Sequence, residues 1–264
     1  MLLKDKVIVV TGAANGLGKG IAQSCHADGA NVVITDLDQA ACQLVVDELG
    51  ENALALSCNV CNDADQQKVI DTTLEKWGRL DGLVNNAGVN FAKPFLETSR
   101  EEWNRVIETD LAAVFFFMQK VCKLWVEKDC AGAIVNIASV HTHATLPGAA
   151  PYAAAKSGLL AMAKSLTNEL AAKGIRINSV SPGLCNTNIW QDIVDAAPSE
   201  QECVDYWKQQ IPMGRLTEPK EIGDTVSFLL SDRSASTTGS NIYVDGGMTS
   251  QLISQAPYES DDLK

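Results

Sequence analysis

The chain reads as a single α/β domain, doubly wound, with a central parallel sheet of about seven strands and helices on both faces. Three observations predict this. Short β-branched runs alternate with longer helix-like segments along the 264 residues. The runs are continuously apolar, as expected of parallel strands buried on both faces. No Pro/Ser-rich linker, internal repeat or low-complexity block divides the chain, and one domain of this class reaches about 250 residues.

Taken in order, strand 6–10 runs into Thr11-Gly12-Ala13-Ala14-Asn15-Gly16-Leu17-Gly18, with a helix over 16–28 behind it. Strand 31–35 ends at Asp36 and leads to helix 38–50; strand 53–58 leads to helix 62–77. Strand 80–84 precedes a long helix over 100–127, and strand 133–137 precedes a helix over 151–173. Strand 175–180, helix 218–231 and strand 241–244 complete the alternation, whose βαβ units demand right-handed crossovers. Two segments break the pattern. Residues 186–216, with Trp190, Tyr206 and Trp207, read as an inserted loop-and-helix lid after a strand end. Residues 249–264 form a polar, acidic end, either a frayed tail or an arm onto a neighbouring subunit.

Thirty-three acidic against 21 basic residues give a net charge of -12 and a pI near 4.7. That balance argues against nucleic acid and anionic membrane as partners, since both need basic faces. It favours a protein acting on small molecules. The first ten residues fit neither a signal peptide nor a spanning helix, so the expected location is cytoplasmic. The eight cysteines read as small buried hydrophobes. Cys58 and Cys61 have C-x-x-C spacing but lack a second pair or a nearby histidine, so no metal is expected.

The glycines between the first strand and helix allow a tight turn and a close backbone approach to a pyrophosphate, held by the helix N-terminus. Lys19 suggests a P-loop, but Ala13 and Gly20 stand where that motif needs Gly and Ser or Thr. Asp36, 18 residues past Gly18, suits a ribose hydroxyl and repels a 2′-phosphate, while positions 15 and 37 are Asn and Leu, not cations. The expected cofactor is NAD. Tyr152 and Lys156, spaced i, i+4, share a helical face, and an ammonium there stabilises the phenolate of an otherwise weak base. Ser139 ends an apolar strand, where its hydroxyl can bond a carbinol or carbonyl oxygen.

These residues resemble the short-chain dehydrogenase/reductase family over about residues 4–248, which implies a Rossmann-type fold. Thr11–Gly18 is similar to its cofactor loop, and Asn85-Asn86-Ala87-Gly88 to the segment that supports the sheet and lines the adenosine ribose. Ser139, Tyr152 and Lys156 match its catalytic Ser and Y-x-x-x-K. Pro182-Gly183-Leu184-Cys185-Asn186-Thr187 matches its P-G-x-x-x-T, where the Cys185 backbone and the Thr187 hydroxyl would hold the nicotinamide carboxamide. The resemblance implies that Tyr152 takes a proton from a secondary alcohol as hydride passes to the nicotinamide. Ser139 would orient the substrate oxygen, and Lys156 would favour the phenolate and hold the ribose hydroxyls. It also implies a homotetramer.

Two positions depart from the family. Asp110 stands where an asparagine usually completes the catalytic tetrad, and it is kept as the fourth catalytic candidate. Asn59-Val60 replaces Asp-Val beside the adenine, with Asn59 still offering a carbonyl acceptor. His141, Trp190 and, more remotely, His143 are the substrate-pocket candidates beside Ser139 and Tyr152. Polar groups with one aromatic wall point to a sugar, sugar acid or polyol as the alcohol or ketone. The alternatives are a 3-oxoacyl-thioester or hydroxysteroid reductase, and a non-catalytic NAD-binding regulator. Against an acidic acyl carrier, Glu202, Asp205, Glu218, Glu221 and Asp224 outnumber Lys208, Arg215 and Lys220.

Overall fold

The computed structural model describes residues 1–251, and the arm-or-tail question for 252–264 lies outside them. The strands are β1 (Val7–Thr11), β2 (Asn31–Asp36), β3 (Ala53–Ser57), β4 (Gly82–Asn85), β5 (Gly132–Ile137), β6 (Ile175–Pro182) and β7 (Asn241–Val244). They form one seven-stranded parallel sheet in the order β3-β2-β1-β4-β5-β6-β7. The helices are α1 (Gly16–Ala27), α2 (Gln39–Leu49), α3 (Asp63–Trp77), α4 (Arg100–Ile107), α5 (Ala113–Glu127), α6 (Ala150–Leu170), α7 (Asn188–Asp195), α8 (Glu200–Gln209) and α9 (Pro219–Leu230). The strand order reverses between β1 and β4, and a crevice at such a reversal, outside the carboxyl ends of the strands, is where ligands bind in open α/β sheets. This is a Rossmann-type fold.

Period-two alternation of β1 divides the core. Ile8 and Val10 join Ile21 and Cys25 of α1 and Ile222 and Val226 of α9, whereas Val9 joins Val69 of α3, Phe117 and Trp125 of α5 and Leu159 of α6. Both faces are covered, which explains the unbroken apolar run. The expectation of two buried faces fails at the sheet edges. β3 alternates between buried Ala53 and Ala55 and half-buried Leu54 and Leu56, and β7 is half-exposed along its length. An edge strand lacks the neighbour that would cover it. Trp125 illustrates how the interior is satisfied: its ring is fully buried and its indole N–H donates to the Leu80 carbonyl at 2.6 Å.

Most predicted boundaries shift by one or two residues, but one element differs in kind. The single helix expected over 100–127 is interrupted by a π-helical turn, Glu108–Ala112, between α4 and α5. Apolar periodicity continues through both helices and so hides the insertion. The widened turn places Asp110 in the interior, with no exposed surface. Residues 186–216 form α7 and α8 joined by loops, a loop-and-helix insertion as expected. No helix among the described residues is long and apolar enough to cross a membrane.

Candidate active site

The β1–α1 turn is closed by contacts that leave no space for side chains. Gly12 has φ +62°, and a Cβ on it would stand 2.8 Å from the Ala87 Cα; a Cβ on Gly18 would stand 2.5 Å from the Asn86 Nδ2. Asn86 Nδ2 donates to the carbonyls of Thr11 and Gly12, both at 2.9 Å. The Thr11 hydroxyl accepts the amides of Asn86 and Ala87, each at 3.0 Å. Turn and β4 loop are thereby one rigid unit.

Helix caps mark where a ligand fits. α2, α3, α4 and α8 carry side-chain caps from Asp38, Asn62, Ser99 and Ser199, and α9 has a capping box. α1, α6 and α7, preceded by Asn15, Ala149 and Thr187, have none, nor has α5, which continues directly from the π turn. The uncapped amides around Gly16 and Leu17 face the glycine cradle and suit a pyrophosphate. Thr187 lies nearby, since a Cβ on Gly16 would be 3.8 Å from its methyl. A dinucleotide therefore fits the residues present. Lys19 pairs with Glu48 at 2.7 Å, pointing to α2 and away from a phosphate role.

At the end of β2 the Asp36 carboxylate accepts the Leu37 amide at 2.8 Å and the Ala14 amide at 3.3 Å. Each oxygen keeps lone pairs for ribose hydroxyls. Asn59 is less free than the sequence suggests: its Oδ1 accepts the Cys61 amide at 3.0 Å, and its own amide donates to Asp65 at 2.9 Å. The Val60 carbonyl is held by Gln66 Nε2 at 2.6 Å. Cys58 is buried, which pushes its thiol up to about 12, while Cys61 is exposed.

The catalytic candidates come together from four elements. Ser139, at the end of β5, accepts the His141 amide through Oγ at 3.2 Å. The His141 ring lies edge-on to Tyr152, centroids 5.4 Å apart, and its Nδ1 is 2.9 Å from the Thr145 hydroxyl. Burial holds the His141 imidazolium below its ordinary range, so the neutral ring predominates at neutral pH. One turn along α6, Lys156 Nζ lies 5.5 Å from the Tyr152 ring centroid and donates to the Ile137 carbonyl at 3.2 Å. Asp110 Oδ2 is 3.3 Å from that ammonium, and Oδ1 accepts the Val89 amide at 2.8 Å. Burial opposes charge on Lys156, but Tyr152 and Asp110 outweigh it and hold the ammonium above its ordinary range. A Cβ on Gly88 would lie 3.0 Å from Asp110 Oδ2 and 3.2 Å from Lys156 Nζ, so glycine is what admits the pair.

Beyond β6, Pro182 pairs with Val244, the Gly183 amide donates to the Val244 carbonyl at 3.0 Å, and Cys185 bridges to Thr217. Burial, aided by Glu221 and Glu218, lifts the Cys185 thiol to about 12, so its contribution there is backbone and packing. Trp190, expected as the aromatic wall of the substrate pocket, is 8% exposed and buried on α7 with Val194, while neighbouring Ile189 is exposed. His143 lies edge-on to Tyr243 of β7, centroids 5.9 Å apart. The sequence reading missed Gln66 and Thr145, and it placed Thr11 in the glycine loop without its clamp on the Asn86 and Ala87 amides. The one available signal was a polar residue closing an apolar strand at Thr11; the other two act through folding alone.

A sequence model described as enoyl-(acyl carrier protein) reductase matches residues 12–249. The 3-oxoacyl-(acyl-carrier-protein) reductase of Escherichia coli is 38% identical over 94% of this chain and 99% of its own length. That of Vibrio cholerae is 36% identical over the same shares. Among solved structures, a short-chain type dehydrogenase/reductase from Mycobacterium marinum superposes with a TM-score of 0.88 at 31% identity, covering 94% of this chain and 97% of that one. A variant of actinorhodin polyketide ketoreductase, solved with NADPH, gives 0.89 at 31% identity, covering 94% and 98%. The chain belongs to the short-chain dehydrogenase/reductase family, and it is an oxidoreductase acting on carbonyl and CH–OH groups.

Proposed function

We propose that this oxidoreductase interconverts a 3-oxoacyl thioester and the corresponding 3-hydroxyacyl thioester, using NAD(H). The substrate class rests on one observation: relatives named 3-oxoacyl-(acyl-carrier-protein) reductases match 94% of the chain. That displaces the sugar or polyol reading, which rested on polar residues beside Ser139 and on Trp190 as one aromatic wall. Pairing of Arg215 with Glu221 and of Lys220 with Asp224 leaves the acidic surplus near residues 202–224 unchanged, with Glu202, Asp205 and Glu218 against Lys208. The choice of NAD rests on Asp36, whose carboxylate faces the loop where a 2′-phosphate would bring like charge.

The bound nicotinamide would supply or accept the hydride. Tyr152 donates the proton to the carbonyl oxygen in reduction and removes it in oxidation. Ser139 orients that oxygen, His141 closes the pocket beside the phenol, and Lys156 stabilises the phenolate. Gly12, Asn15, Gly16, Leu17 and Gly18 would hold the pyrophosphate; Asp36, Asn59, Val60, Asn86, Ala87 and Gly88 would hold the adenosine. Pro182, Gly183, Cys185 and Thr187 would hold the carboxamide. The reading includes a homotetramer in the cytoplasm, the first tested by light scattering.

Two measurements test the proposal separately. Fluorescence titration should give tighter binding of NADH than NADPH, and the reverse order would overturn the NAD assignment. A turnover screen over acetoacetyl thioesters, hydroxysteroids, sugar acids and polyols should favour the thioesters. Turnover confined to sugar acids or polyols would return the reading to carbohydrates.

A further inference from the structure

We propose that the Asp110 carboxylate is the fixed counter-ion of Lys156 and, through it, the positioning residue that sets the pH at which Tyr152 exchanges its proton. This rests on the reading of Tyr152 as the general acid–base group. Both side chains are enclosed, Asp110 with no exposed surface and Lys156 at 6%. Asp110 Oδ1 is used by the Val89 amide at 2.8 Å, while Oδ2 lacks a well-aligned hydrogen bond and has the ammonium at 3.3 Å. An asparagine at this position would present an uncharged amide to the ammonium. A carboxylate there brings a full opposing charge.

The ionised state of Asp110 follows from its surroundings. A buried ammonium without a counter-charge is costly, as is a buried carboxylate, and 3.3 Å lets each offset the other. Among the described residues, the charged and titratable groups facing Lys156 are Asp110 from the π turn and Tyr152 from its own helix. β5 supplies the Ile137 carbonyl, and the β4 loop supplies Gly88 and the Val89 amide. His141 reaches the Tyr152 ring from the other side.

The consequence is a charge balance beneath the phenol. A lone ammonium would draw Tyr152 toward phenolate, whereas the pair is neutral and draws it less. Asp110 therefore keeps Tyr152 protonated to higher pH, as a proton donor for carbonyl reduction requires. At separations of several ångströms and an effective dielectric near 20, removing one such charge moves a titration by about one pH unit.

The test is a pH titration of tyrosinate absorbance in the wild type and in Asp110→Asn, each compared with its own Tyr152→Phe counterpart to isolate that phenol. The Asp110→Asn signal should emerge about one pH unit lower, and Asp110→Glu should restore the wild-type curve. Superimposable wild-type and Asp110→Asn curves would overturn the proposal. No substrate is involved, so this outcome is separable from a wrong substrate class, and loss of turnover in Tyr152→Phe tests the underlying reading. Should Asp110→Asn fail to fold, infrared spectra of the wild type at neutral pH decide. A protonated-carboxyl C=O band overturns the assignment, and its absence supports it.

Discussion

The two flanks of the proposed cofactor groove are built in opposite ways. At the β1–α1 turn, backbone touches backbone: Asn86 clamps the carbonyls of Thr11 and Gly12, and neither Gly12 nor Gly18 has space for a methyl. In the lid, α8 contributes no buried residue, and Ile189, Tyr206 and Met213 are exposed. The lid is anchored by buried Trp190, Val194 and Ile211 and by hydrogen bonds from the Asn186 amide to the Thr217 carbonyl at 2.9 Å, the Met213 amide to the Gly246 carbonyl at 3.1 Å, and Gln251 Nε2 to the Gln210 carbonyl at 2.6 Å. The first flank admits one backbone path; the second leaves its side chains free to vary. Recognition of an invariant ligand belongs on the first, and choice of substrate on the second.

Tyr152→Phe separates chemistry from both flanks and carries the largest expected effect. Removing one general acid–base group should lower turnover by about 10²–10⁴-fold. NADH affinity, set by the glycine cradle, should stay close to wild type in fluorescence titration. A parallel loss of NADH binding would mean that the phenol is part of the rigid flank.

Gly18→Ala tests the rigid flank itself. Its methyl would meet the Gly12 carbonyl and Asn86 Nδ2, and the unit of Thr11, Gly12, Asn86 and Ala87 cannot give way without breaking its own bonds. Overpacking of this kind costs about 1–3 kcal/mol in stability, read in urea melts, and should weaken NADH binding at least tenfold, by analogy with a misplaced pyrophosphate site. Tyr206→Ala is the matching change in the lid. Tyr206 is 57% exposed, so stability should change by no more than about 0.5 kcal/mol, while the KM for substrate shifts and NADH affinity does not. Equal destabilisation by the two variants would break the contrast.

The same contrast explains what was legible in the sequence. Gly12, Gly16, Gly18, Tyr152, Lys156 and Ser139 were readable because they sit in short local patterns, a turn, a helix start, an i, i+4 face and a strand end, whose order resembles the family's motifs. The sheet was readable from its apolar runs. Asp110 was readable as an anomaly, but its partner Lys156 is far away in sequence and meets it only because a π turn, silent in the periodicity, carries the carboxylate inward. Gln66 holds a loop by a long-range bond that no local pattern encodes, whereas Thr11 had a local sign at the strand end. That Trp190 is buried on α7 was not legible, because aromatic character does not say which face of a helix a residue occupies.

The smallest effect lies at the seam between lid and frame. Glu221 opens α9, bonding both Arg215 from the lid segment and the Glu218 amide at 2.8 Å. The Arg215 guanidinium first, then that amide, holds its carboxyl down at about 2. A carboxyl depressed in the folded state stabilises above its unfolded value, and the benefit fades as pH falls toward the folded one. The ordinary value is 4.5, so the window runs from there down to about 2. Arg215 and Glu221 are 49% and 39% exposed, and solvent screening limits such a pair to about 1 kcal/mol or less. Glu221→Gln should therefore be less stable than wild type by up to that amount in urea melts near neutral pH, with the difference closing once Glu221 is protonated. A difference that persisted unchanged below the window would assign the contribution to hydrogen-bond geometry, which Gln shares, and remove charge from the seam.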